Sequence, residues 1–171
     1  MIRRRDDREL ERMHQANAIV LSTLDILRAA LEPGITTAEL DQIAAREIAR
    51  EGATPAFKGY RGFPASLCVS VNDEVVHGIP SSKRKLEEGD IVSLDLGAVV
   101  NGYFGDNAIT AGVGEISKEL KKLLEVAEAA MYRGIERAMP GSRISDIGFA
   151  VSTYVERHGF SVVREFVGHG I

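Results

Sequence analysis

Apolar residues recur at every third or fourth position in four stretches of the chain, which is the spacing of one face of an α-helix. Two of these stretches are long, from about Asp6 to Leu31 and from about Glu115 to Met139. Each is followed by Pro-Gly and then by a shorter stretch, from Thr36 or Thr37 to Arg50 and from about Ser145 to His158. The pattern predicts four helices, arranged as two long–short pairs.

A different pattern lies between the two pairs, from Ile91 to Thr110 (IVSLDLGAVVNGYFGDNAIT). Two β-branched, apolar runs are separated there by Asn101-Gly102, a dipeptide that accepts positive φ at both positions and favours a two-residue type I′ turn. This stretch therefore predicts a β-hairpin, with Val100 and Tyr103 as the opposed residues that flank the turn.

The register of this hairpin determines where its two aspartates point. With Val100 opposite Tyr103, Gly97 lies opposite Asp106. Side chains two positions apart on a strand share a face, so Asp95 and Asp106 become diagonal neighbours on one face. Two carboxylates on one buried sheet face repel each other unless a proton or a cation lies between them. The hairpin therefore predicts a divalent metal site.

The alternative is a pair of solvent-facing aspartates on an edge hairpin, and a register slip of one residue would separate the two side chains. The neighbouring residues disfavour this alternative because they make the predicted sheet apolar on both faces. These neighbours are Leu94, Leu96, Val99, Val100, Tyr103 and Phe104.

The remaining segments predict short strands and one loop. Strands are expected at Leu67 to Val71, at Glu74 to His77 and at Phe160 to Val167. The stretch Thr54 to Pro64 is rich in Gly and Pro and carries three aromatic residues, which is typical of a packed surface loop or of the wall of an apolar pocket. The aromatics are Phe57, Tyr60 and Phe63.

The chain also repeats part of itself, because residues 32–52 align without a gap with residues 139–159. Similar helix caps and stops recur in unrelated helices, which is the alternative explanation. The length of the match favours a duplicated α/β unit. We therefore expect a single domain over 1–171, made of a half-unit at about 1–113 and an incomplete second half-unit at about 114–171.

Composition limits the class of protein. Hydrophobic residues make up 44% and charged residues 27% of the chain, as in an ordinary globular protein. The net charge of −4 gives no reason to expect a nucleic-acid partner, and the one cysteine suits a reducing compartment. No apolar run approaches the roughly 20 residues that span a bilayer. The expected location is the cytoplasm.

Two of the four histidines lie at the end of a predicted strand or just after one and are flanked by glycine, a position that suits a cleft better than a core. They are His77, in VVHGIP, and His169, between Gly168 and Gly170. His14 and His158 lie in predicted helices and are given no role.

Together these segments resemble the type I methionine aminopeptidases of the creatinase/aminopeptidase superfamily, which has the pita-bread fold. The resemblance covers essentially the whole chain and depends on three segments: GYRGFPASLCVSVNDEVVHGIP, GDIVSLDLGAVVNGYFGDNAIT and EFVGHGI. It implies an α+β fold in which two pseudo-symmetric halves, with flanking helices, surround a curved antiparallel sheet.

The resemblance also implies a role for each candidate residue. Asp95 and Asp106 would be metal ligands, with Asp106 bridging two divalent ions, and His169 would complete the site. His77 would contact the scissile carbonyl or its tetrahedral intermediate. Carboxylates with one imidazole suit Mn, Fe, Co or Zn. The pocket for the methionine side chain would be formed by Tyr60, Phe63 and Cys68.

The implied activity is removal of the initiator methionine from nascent proteins. The expected partners are peptides and nascent-protein N-termini that begin with methionine, and binding to them is expected close to the ribosome. We expect a monomer that contacts neither membrane nor a specific nucleic-acid sequence. A proline-directed peptidase of the same fold is disfavoured by VVHGIP and by the segment from Tyr60 to Cys68.

The chain departs from the family that it resembles in one respect that affects the expected activity. Members of the family that the chain resembles continue well beyond Gly-His-Gly and supply two further glutamate ligands. Without those ligands each ion would have two protein ligands, fewer than the three usual at a catalytic zinc site. We therefore expect a truncated form with an incomplete metal site. The alternative is a catalytically silent pita-bread module that binds peptide or protein partners.

Overall fold

The computed structural model describes residues 4–169. These residues form two compact units, and the boundary lies between Ile116 and Ser117. The first unit contains two helices and a four-stranded antiparallel sheet. The helices are α1 (Asp7–Ala29) and α2 (Thr37–Arg50), and the strands are β1 (Thr54–Pro55), β2 (Leu67–Val71), β3 (Ile91–Val100) and β4 (Tyr103–Gly112). The second unit contains α3 (Lys118–Ile135) and α4 (Ile144–Arg157). The predicted α+β class is confirmed.

The two helices of the first unit begin with reciprocal caps. At α1 the Asp6 carboxylate accepts from the Glu9 N–H, and the Glu9 carboxylate accepts from the Asp6 N–H. Thr36 and Glu39 make the same pair of contacts at α2. These contacts satisfy amides that have no partner within the helix. The predicted start of α2 is confirmed.

The sheet is organised around β3, which pairs with β4 along one edge and with β2 and β1 along the other. Alternate residues of β3 form the centre of the core and have no exposed surface: Val92, Leu94, Leu96 and Ala98. They pack with fully buried side chains of α1 and α2, which include Val20, Leu27, Leu40 and Ile48. Burying one such side chain stabilises the fold by roughly 1.5–3 kcal/mol.

The opposite face of β3 is less apolar than predicted. Ser93 and Asp95 are half-exposed on this face, and the Ser93 and Thr110 hydroxyls are hydrogen-bonded to each other at 2.9 Å. The expectation of a sheet apolar on both faces is therefore wrong for this face. Only one face is covered by α1 and α2, so the other face can carry polar groups.

Two predicted strands are wrong. Glu74 to His77 is irregular: a turn at Asn72 and Asp73 ends β2, and Asn72 and His77 adopt φ values of 57° and 61°, which a strand does not contain. Phe160 to Val167 is irregular and largely exposed. A strand needs a neighbour for its backbone groups, and among the described residues of the second unit no strand is present to pair with it.

The boundaries of α4 repeat those of α2. Thr37 and Ile144 begin the two helices, and Arg50 and Arg157 end them, at the same offset as the sequence repeat. The α3 helix is shorter than predicted, because Ser117 caps its start and tight turns replace the helix after Ile135. Within residues 4–169, no helix combines the length and apolar character needed to cross a membrane.

Candidate metal centre

The hairpin has the register that the turn predicts. Asn101 and Gly102 have φ values of 50° and 80°, Val100 is opposite Tyr103, and Gly97 is opposite Asp106. Asp95, two residues before Gly97, therefore lies on the same face as Asp106 and diagonal to it. The predicted geometry of the aspartate pair is confirmed.

Cys68 lies beside this pair, because β2 places it directly opposite Asp95. Its side chain is buried, and this burial raises the pKa of the Cys68 thiol to about 12, with further contributions from the negative charges of Asp95 and Asp106. The thiol therefore stays neutral at ordinary pH. A neutral, buried thiol suits an apolar wall rather than a nucleophile.

Helix α1 supports Asp106 from outside the sheet. The Asp106 N–H donates to Oδ1 of Asn17 over 3.2 Å, and Asn17 Nδ2 donates to the Met13 carbonyl. Gly105 lies directly on the α1 backbone, since a Cβ there would be 2.5 Å from the Asn17 nitrogen. Sequence analysis missed this role, although Asn17 interrupts an otherwise apolar helix face and that interruption was the available signal.

Phe57 covers the strand next to the aspartates. A Cβ added at Gly97, which faces Asp106, would meet the Phe57 ring at 2.7 Å. Of the predicted pocket residues, Tyr60 is 64% exposed, Phe63 is half-buried and Cys68 is buried. The sequence places Phe57 in this loop, but it does not predict that Phe57 lies over the carboxylate face, the face of the sheet that carries Asp95 and Asp106.

The two candidate histidines are placed differently. His77 is exposed and precedes Gly78, which is hydrogen-bonded to β2. His169 is exposed in irregular chain at the end of the second unit, and the Gly170 and Ile171 of its motif lie outside the described residues. Within residues 4–169, no three histidine, cysteine, aspartate or glutamate side chains are grouped closely enough to hold a metal ion.

Comparison with known proteins gives the family. The chain matches metallopeptidase family M24 over residues 11–171. The chain belongs to this family. It is 52% identical over its full length to a methionine aminopeptidase of Clostridium acetobutylicum, of which it covers 68%. It is also 57% identical over 164 residues to methionine aminopeptidase 1 of Bacillus subtilis, a match that covers 96% of this chain and 66% of that protein.

The fold of this M24 chain matches a crystal structure as well. Superposition on methionine aminopeptidase from Rickettsia prowazekii gives a TM-score of 0.98 at 37% identity, over 100% of this chain and 68% of that one. This likeness confirms the predicted pita-bread fold. The chain spans about two thirds of the length of these relatives.

Membership of a metallopeptidase family implies a divalent metal, and the donors on the hairpin fit one. Two carboxylates on one face raise the electrostatic cost of negative charge nearby, and after burial, which is the larger cause, their charges contribute to the raised pKa of the Cys68 thiol. A cation between Asp95 and Asp106 would offset that repulsion. Carboxylate oxygens are suitable ligands for divalent first-row metals.

Proposed function

We propose that this chain is a methionine aminopeptidase, which removes an N-terminal methionine from peptides and nascent proteins in the cytoplasm. The single observation that carries the proposal is the placement of Asp95 and Asp106 as diagonal neighbours on one face of the hairpin, in a chain of family M24. The identity to the Clostridium acetobutylicum and Bacillus subtilis proteins supports the choice of methionine as the residue removed.

In this proposal Asp95, Asp106 and His169 would hold two divalent ions of Mn, Fe, Co or Zn. Divalent ions held there would polarise the peptide carbonyl and lower the pKa of the attacking water. Three ligands for two ions leave each ion with fewer than three protein contacts, so we infer that full activity needs further carboxylates.

The other candidate residues bind and orient the substrate in this proposal. His77 donates a hydrogen bond to the oxygen that becomes negative as the peptide bond is attacked, and loss of one such donor typically lowers the rate by about 10²–10³. Tyr60, Phe63 and the neutral thiol of Cys68 surround the flexible methionine side chain. Phe57, which lies against Gly97, would form part of the same wall.

The test compares Asp106→Asn with Asp25→Asn, an exposed aspartate of α1. We expect Asp106→Asn to abolish methionine release from a Met-Ala-Ser peptide and to reduce the number of Mn²⁺ ions bound in calorimetric titration. Asp25→Asn should match the unmodified protein in both measurements. The assay is done on the 171-residue chain and on a chimaera that carries the remaining C-terminal part of the Bacillus subtilis relative.

Two results would contradict the proposal. Unchanged Mn²⁺ binding in Asp106→Asn would remove this residue from the site. Peptide binding without metal-dependent release, in the chimaera as well as in the shorter chain, would favour the catalytically silent module.

A further inference from the structure

Gly78 is held on the outer edge of β2 by two hydrogen bonds. Its N–H donates to Ser70 Oγ over 3.1 Å, and its carbonyl accepts from the Val69 N–H over 3.0 Å. Both partners belong to the core, with 3% of Ser70 and 2% of Val69 exposed. Moving Gly78 away would leave a buried Val69 N–H without its acceptor, which is unfavourable. The two bonds therefore fix this point of the loop.

The contact is so close that it excludes any side chain at this position. A Cβ on Gly78 would lie 2.1 Å from the Val69 carbonyl oxygen and 2.9 Å from the Ser70 Cα. Backbone atoms of a paired strand cannot move aside, so only glycine fits here.

His77, the preceding residue, has a φ of 61°. Non-glycine residues adopt this left-handed conformation rarely, and they keep it where the surrounding structure imposes it. The fixed Gly78 is that surrounding structure. Ser70 also lies two residues from Cys68 on β2, on the face that carries Asp95.

We propose that Ser70 is a positioning residue for His77. Through the Gly78 N–H, its hydroxyl holds the His77 backbone in the left-handed conformation at the edge of the carboxylate face, and so fixes the imidazole for reaction. This inference depends on the proposed function for its catalytic consequence, but not for its structural one.

The structural consequence is tested in the 171-residue chain by NMR. In Ser70→Ala we expect the Gly78 amide to exchange with solvent roughly two- to tenfold faster, which corresponds to the loss of one neutral hydrogen bond. The His77 imidazole signal should shift, while that of His14 in α1 stays in place. Ser70→Thr, which keeps the hydroxyl, should restore both. Ser93→Ala is the matched control, because Ser93 lies opposite Ser70 and bonds to Thr110 instead.

The catalytic consequence is tested by kinetics. Ser70→Ala should lower kcat for methionine release roughly ten- to hundredfold, with KM and metal content unchanged, as expected for a small displacement of a reacting group. In a His77→Ala background the same substitution should have no further effect. An equal loss of kcat in that background would overturn the positioning role.

Unchanged Gly78 exchange and an unmoved His77 signal in Ser70→Ala would also overturn the inference, whatever the kinetics show. Absence of methionine release from the unmodified protein and from the chimaera would instead contradict the proposed function. The NMR measurements separate these two failures, since they need no catalytic activity.

Discussion

The two units of the chain differ in how completely they bury their apolar side chains. The first unit has a core to which both helices and the strands β2 and β3 contribute, and most of its members have at most 2% of their surface exposed. The second unit has a small core of Val126, Ala130 and Val155. Large apolar side chains of its helices and turns remain exposed, with Ile144 at 86% and Phe149 at 72%.

This difference shows where the free energy of folding is concentrated. Apolar burial is the main favourable term, so the first unit should unfold as one cooperative body and the second should open locally at lower cost. The aspartate hairpin lies in the stable unit, whereas His169 lies in the other. The aspartate pair therefore belongs to the unit with the larger buried core.

The largest expected difference between the two units is in the rate at which a buried thiol is labelled. Cys68 is the one cysteine of the chain, and a Val155→Cys substitution in a Cys68→Ala background places a thiol in the second core. At pH 8 we expect Cys68 to react with a thiol reagent more slowly than the new thiol, by up to about a thousandfold. A pKa raised from 9.0 to about 12 lowers the thiolate fraction by about that factor.

The pH dependence follows from the same pKa. The Cys68 rate should continue to rise up to about pH 12, because burial and then the charges of Asp95 and Asp106 raise the pKa of this thiol. In denaturing urea the two thiols should react equally fast. Equal rates without denaturant would mean that the two units open with the same frequency.

The next effect is on global stability. Leu94→Ala removes a fully buried side chain from the centre of the sheet and should lower the free energy of unfolding by about 2–5 kcal/mol. Leu124→Ala, at a half-buried position of α3, should cost at most about 1.5 kcal/mol. Urea unfolding followed by circular dichroism measures both. A larger loss for Leu124→Ala would reverse the comparison between the units.

The smallest expected effect is the change in stability when a glycine is replaced by alanine, and this change should have opposite signs in the two units. Gly105→Ala places a Cβ 2.5 Å from the α1 backbone and should destabilise the first unit by about 1–3 kcal/mol. Gly148→Ala, in open space on α4, should stabilise the second unit by about 0.5–1 kcal/mol because alanine favours a helix. Thermal unfolding measures both shifts. Stabilisation by Gly105→Ala would show that α1 and β4 are not tightly packed.

The features that could be predicted from the sequence are those that short segments encode. Asn101-Gly102 determines both the turn and the register, and these bring Asp95 and Asp106 to one face. Caps such as Thr36 with Glu39 determine where helices begin. Each depends on residues a few positions apart, so the pattern is visible in a single chain.

The features that could not be predicted depend on contacts between distant segments. The predicted strand at Glu74 to His77 is absent because Gly78 is hydrogen-bonded to Val69 and Ser70 at the edge of β2. The β-branched residues of this segment do not indicate that contact. The contact of Asn17 with Asp106 joins residues 89 positions apart. The interruption that Asn17 makes in the apolar face of α1 marks this residue, but no local pattern indicates that its partner lies on a strand so much later in the chain.

This long separation has a consequence for synthesis. Helix α1 leaves the ribosome roughly 4–18 s before the strand that covers it, at the usual elongation rate of about 5–20 residues per second. During that interval Val20, Leu24 and Leu27 have no sheet to cover them. The nascent chain therefore passes through a stage at which the apolar face of α1 is accessible to chaperones and can cause aggregation. This stage ends only when the hairpin has been synthesised.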